Sequence, residues 1–154
     1  MEKTLDSVDV AKRILTIANE RGIRDVGATK LMKLMYIVYG AMRIAAPDTK
    51  INERASTWQY GPVFPRAYSA LQKDLDKHKE FHFDGIKDND LDSVINATLD
   101  TFGSWTAAQL VSWSHQAGSP WSDTVAKDGF DWSNKIPDDL IEAYFKKIFT
   151  KTSD

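Results

Sequence analysis

The stretch Trp58-Gln59-Tyr60-Gly61-Pro62-Val63-Phe64-Pro65-Arg66-Ala67-Tyr68 places an extended segment, a Gly-Pro turn and a helix start in one short run. Gly61 lacks a Cβ and precedes a proline, so it can hold an extended or left-handed conformation that other residues resist. Pro65 fixes its own φ near the helical value and has no amide to satisfy, which suits the first position of a helix. The rings of Trp58, Tyr60 and Tyr68 would clamp such a corner onto a core. This residue chemistry predicts a structural corner rather than a reactive loop.

Upstream of the corner, Val10, Ala11, Ile14, Leu15 and Ala18 repeat at helical spacing, predicting a helix over residues 7–21 that ends at Gly22. Residues 29–45 are apolar on nearly every side, from Leu31 and Met32 to Tyr39 and Met42, so this second helix is expected at the centre of the fold. Pro47 ends it. Residues 55–60 read as a short strand, a third helix follows over residues 65–78, and the alternating Phe81-His82-Phe83 is expected to pair with residues 55–60. Asp90 is placed to cap a fourth helix carrying Leu91, Val94, Ile95, Leu99 and Phe102.

Thr106-Ala107-Ala108-Gln109 has the form of a capping box, opening a fifth helix through Leu110 and Trp113 to His115. Gly118 breaks it, and Ser119-Pro120 caps and starts a short sixth helix over residues 121–127. Pro137-Asp138-Asp139 opens a last helix through Phe149, with acids at its start and Lys146-Lys147 near its end, as the helix dipole favours. The expected fold is mainly α: one compact domain over residues 1–154, with six to seven helices and a small two-stranded β element.

A chain of 154 residues can bury a core of its own. It has no cysteine, which excludes disulfides, thiolate metal sites and a cysteine nucleophile and fits a cytoplasmic setting. The longest apolar run, residues 34–39, is far short of the ~18 residues of a membrane span. The 20 basic and 22 acidic residues are spread along the chain, giving a net charge of −2. A nucleic-acid-binding domain usually has a basic face and a pI above ~9, so a nucleic-acid partner is not expected. Five tryptophans are the unusual feature, and tryptophan anchors interfaces as well as cores.

The histidines are the natural candidates for an active site. His78 and His82 are one helical turn apart, as in a zinc pair, but Lys79 stands where the metalloprotease pattern needs Glu. His115 has no nucleophile elbow or spaced acid–base pair beside it, so its expected role is structural, its nitrogens bonding backbone or hydroxyl groups and fixing the Ser119-Pro120-Trp121 turn. No glycine cluster forms a phosphate loop, and the second helix is too apolar to read a DNA groove. Lys30 and Lys33 are therefore read as rim residues or partners of nearby carboxylates. No catalytic residue, metal or cofactor is expected.

Taken together, Lys30-Leu31-Met32-Lys33-Leu34-Met35-Tyr36, the corner, Leu110 with Ser114-His115, and Pro120-Trp121 resemble the Panacea domain of SocA-like antitoxins, also described as phage-associated GepA-like proteins. The family pattern runs as a Lys-Leu-x-Lys-Leu-x-Tyr helix, a Trp-x-Tyr-Gly-Pro-Val-x-Pro corner, then Leu-x-x-x-Thr-His and Pro-Trp. Ser114 stands here for the usual Thr and keeps the hydroxyl. The resemblance covers about residues 8–125, and its motif residues (Lys30, Leu31, Lys33, Leu34, Tyr36, Trp58, Tyr60, Gly61, Pro62, Val63, Pro65, Tyr68, Leu110, Ser114, His115, Pro120 and Trp121) read as scaffold.

The resemblance implies a non-enzymatic antitoxin, often carried on a prophage, that neutralises a protein toxin encoded beside it by direct contact. Some members of the family act instead as adaptors that deliver the toxin to a Clp-type protease; the alternatives from other classes are a DNA-binding regulator of a mobile element, against which the acidic pI weighs, and a hydrolase centred on His115. Phe130, Trp132 and Tyr144 match no family motif and are the expected partner-binding residues.

Overall fold

Apolar residues that cover every side of a helix force it to the middle, and the second helix obeys this rule. The computed structural model describes residues 2–76 and 86–152. In chain order the elements are β1 (Lys3–Leu5), α1 (Ser7–Glu20), α2 (Ala28–Ala45), β2 (Thr49–Ile51), α3 (Pro65–Asp76), α4 (Asn89–Phe102), α5 (Ala107–Ser114), α6 (Pro120–Asp128) and α7 (Asp138–Thr152). Residues 30–42 of α2 are all buried. Helices α1, α3, α4, α5 and α7 pack around α2, and α6 lies against α7. Gly40 lets α7 come close, because a methyl there would overlap the Phe145 ring. The fold is mainly α with a small two-stranded sheet, as expected.

The helix ends follow their local chemistry. Asp6 caps α1 by accepting from the amides of Val8 and Asp9 at 3.1 and 3.3 Å. Both capping-box hydrogen bonds of α5 are present: Gln109 N donates to Thr106 Oγ1 at 3.1 Å and Thr106 N to Gln109 Oε1 at 2.8 Å. Ser119 caps α6 with Pro120 in its first turn. For α4 the expectation needs correction, because Asp88 and not Asp90 is the cap. Its carboxylate accepts from Leu91 N at 2.9 Å and pairs with Lys3 at 2.5 Å, tying β1 to the start of α4. Asp90 lies inside the first turn.

The sheet is also placed differently from the sequence reading. β1 and β2 pair in parallel, Lys3 opposite Thr49 and Leu5 opposite Ile51, with α1 and α2 as the crossover. Residues 55–60 form no strand. Ser56 makes an isolated bridge to Val63 on one side and to Lys135 on the other. The Gly61 amide donates to Trp58 O at 2.9 Å, closing a turn, while Pro62 has no amide and Pro65 starts a helix, so the ladder ends after one rung. The expected pairing partner at residues 81–83, the end of the third helix near residue 78, and His78 and His82 lie outside the described residues. Among the described residues no helix is long and apolar enough to cross a membrane.

Candidate functional site

Four pieces of chain, far apart in sequence, meet around Lys33. This side chain points from α2 into the protein with 0% exposure, and its ammonium donates to Pro62 O at 2.9 Å. It also lies 5.5 Å over the Trp58 ring. Burial lowers its pKa to about 7. Lys33 is thus neither on a rim nor beside a carboxylate, because α2 is enclosed at that turn and the corner supplies a carbonyl and a ring face instead. Lys30 is also buried, and here the expected carboxylate is present: Nζ pairs with Asp25 at 2.7 Å and donates to Gly103 O at 2.8 Å.

Gly61 takes φ +103°. A Cβ at this position would come within 2.5 Å of Ser114 Oγ and 2.6 Å of Lys33 Cε, so the corner needs glycine both for its backbone and for its space. Ser114 Oγ donates back to Val111 O at 2.8 Å, and Ser119 Oγ donates to Ser114 O at 2.9 Å, joining the end of α5 to the start of α6. Trp121 then closes the ring of contacts, with Nε1 donating to Trp58 O at 2.9 Å. Val63, Leu31, Leu34 and Leu110 fill the core below.

His115 lies against the expected turn, but without the expected hydrogen bond at Nε2. Its Nε2 is buried and bonds to no group among the described residues, and what holds the ring is a parallel stack on Trp121, 3.9 Å between centroids at 6°. Burial, and secondarily the Lys33 charge, push the imidazole below its ordinary pKa, favouring the neutral ring. Tyr36 packs edge-on to Trp113 and Phe145, and burial pushes its phenol up. Lys33, Ser114, Ser119 and Trp121 direct their polar groups to main-chain carbonyls, whereas Tyr36 Oη and His115 Nε2 are buried with no hydrogen-bond partner among the described residues. Among the described residues no three His, Asp or Glu side chains gather as a metal site.

The knot carries an exposed aromatic surface. Trp58 is half-buried, not fully buried, and meets Tyr60, Tyr68 and Trp132 edge-on at 4.9, 5.2 and 6.3 Å. Tyr60 is 48% exposed, Trp132 37% and Phe130 59%, with Phe130 leaning on Trp121 at 5.9 Å. The loop bearing Phe130 and Trp132 is fastened from below. Thr57 Oγ1 donates to Gly129 O and Asp131 O at 3.1 and 3.0 Å and accepts from Asp131 N at 3.0 Å. Ser56 Oγ donates to Trp132 O at 2.7 Å and accepts from Lys135 Nζ at 2.8 Å.

Sequence reasoning missed Ser56 and Thr57. Two adjacent hydroxyls just before Trp58 were the available signal. Tyr144 belongs to another cluster: it contacts Trp113 and Phe145 and lines a groove with Leu140 and Ile148 on α7, so the three expected partner residues do not form one patch.

A family model described as antitoxin SocA-like, Panacea domain, matches residues 31–122. The curated antitoxin SocA of Caulobacter vibrioides is 28% identical over 137 residues, covering 80% of this chain and 72% of that protein. No solved structure matches. Lys33, the Gly61 corner, Ser114-His115 and Pro120-Trp121 all fall within the matched segment, and the chain belongs to the SocA-like antitoxin family with a Panacea domain.

Proposed function

We propose that this protein neutralises a cognate protein toxin, encoded beside it, by binding it directly and without catalysis. Family membership supports the antitoxin role. The single observation that supports direct contact is the fastened loop, which presents Phe130 and Trp132 outward on a rigid base. Interfaces need ~800 Å² from each partner and take most of their affinity from a few such large residues. A loop already ordered before binding loses less entropy on association.

The reading is tested by expressing the product of the adjoining reading frame in a host whose growth it arrests, with and without this protein. Growth should recover while the toxin stays at full level by immunoblot and co-purifies with the antitoxin. Growth recovery with loss of the toxin band would replace direct neutralisation by delivery to a Clp-type protease. No recovery would remove the antitoxin assignment for that pair.

A further inference from the structure

Resting on the direct-contact reading, the surface itself specifies the partner's chemistry. The end of α6 and the loop after it read Asp128-Gly129-Phe130-Asp131-Trp132, with carboxylates and rings in alternation. Several other carboxylates are met by cations of the chain: Asp6 by Arg66 at 2.6 Å and Asp92 by Arg13 at 2.8 Å, for example. Asp128 and Asp131 are exposed and have no cation within ion-pair distance among the described residues. The nearby Lys135 directs its ammonium to Ser56 Oγ and Trp132 O, at 2.8 and 3.4 Å, and pairs with neither carboxylate. Ser133 donates both its amide and hydroxyl to Asp131 Oδ1 at 2.7 Å, which fixes this carboxylate in place and favours its ionised form.

We infer that this loop docks on an arginine-bearing segment of the toxin, the guanidinium groups pairing with Asp128 and Asp131 while lying against the faces of Phe130 and Trp132. Arginine is the side chain that can do both at once. Its planar fork matches a carboxylate through two hydrogen bonds, and its face stacks on aromatic rings better than a lysine ammonium does. A partly desolvated ring beside a carboxylate strengthens both contacts, because the guanidinium is attracted to the ring quadrupole and to the charge. An aliphatic partner surface would instead leave two carboxylates desolvated without a counter-charge, which costs binding.

The test measures affinity of the purified toxin, the product of the adjoining reading frame, for the parent, for the double variant D128N/D131N and for Trp132→Lys. Each is measured at low salt of about 50 mM and higher salt of about 300 mM. Asn keeps the size and the acceptor oxygen that Ser133 uses, so melting temperatures of the double variant should match the parent. The parent should weaken with salt, the double variant should bind about tenfold more weakly at low salt and lose most of its salt dependence, and Trp132→Lys should bind worse still.

Parent-like affinity in the double variant overturns the proposed surface while leaving direct neutralisation standing. Weaker binding with unchanged salt dependence overturns the charge pairing. A parent that neither binds nor rescues overturns the direct-contact reading, and this inference falls with it.

Discussion

A valine at Gly61 would have to adopt φ +103° with its Cβ pressed on Ser114 Oγ and Lys33 Cε. β-branched residues resist that region, and strain of this kind costs roughly 1–3 kcal/mol before any clash is counted. Gly61→Val should therefore lower the urea midpoint or abolish soluble yield. A variant as stable as the parent that no longer neutralises would make the corner a contact site instead of scaffold.

Lys33 gives a pH signature at the same scale. Its folded pKa of about 7 lies below the unfolded value near 10.5, so over that window the unfolded chain binds the extra proton and stability rises with pH. Below about pH 7 both states hold the proton and the effect is absent. The gain is limited to about 1.4 kcal/mol per pH unit, and the clean interval ends near pH 9.5, before the phenols of Tyr36 and Tyr39 ionise in the unfolded chain. Burial raises both phenols in the folded state, so above that range they reverse the trend. Denaturation midpoints for the parent should climb from pH 7 to 9.5, and Lys33→Met should flatten the climb. An equal slope in both proteins would show that Lys33 is not the titrating group.

Among the elements, the loop at residues 129–135 depends on two hydroxyls outside it. Thr57→Val keeps shape but removes the hydroxyl that donates to Gly129 O and Asp131 O and accepts from Asp131 N. The expected cost is about 1–3 kcal/mol, since a buried acceptor is left without its donor. Hydrogen exchange at the Asp131 amide should accelerate far more than at α2. Thr106→Ala should cost about 1 kcal/mol through the capping box, with neutralisation intact. The first variant touches the display loop and the second does not, so comparing their neutralisation separates loop ordering from general destabilisation.

The elements differed in how much of them could be read from sequence. The start of α5 at Thr106 and of α6 at Ser119-Pro120 were legible because capping is decided within four residues. The central place of α2 was legible because its apolar residues leave no polar face. The sheet was not, since three-residue strands are too short to show alternation and a parallel pair is joined by residues 44 or more apart, from Leu5 to Thr49. The motif residues of the site are visible along the sequence, but their convergence on a buried Lys33 is not. A lysine reads as solvent-facing until a distant carbonyl, Pro62 O, and the Trp58 ring are known to enclose it. The stacking of His115 was hidden for a similar reason, because it depends on where α6 turns Trp121 back.

At the scale of the whole molecule, α2 is the axle to which the other parts are attached, and the knot joins it to the aromatic surface through Lys33 and the Trp58 ring. Leu34→Ala in α2 should cost about 2–5 kcal/mol by leaving a cavity in a helix packed on all sides, and should reduce neutralisation only in proportion to the folded fraction. The central claim is that the folded protein holds its toxin in a stable complex through direct contact. Titration calorimetry of the purified antitoxin into the purified product of the adjoining reading frame addresses it without cells or proteases. The account predicts saturable binding at a fixed stoichiometry with Kd of about 1 µM or tighter, weakened by D128N/D131N. Absence of binding by a folded antitoxin that still rescues growth in cells would contradict it.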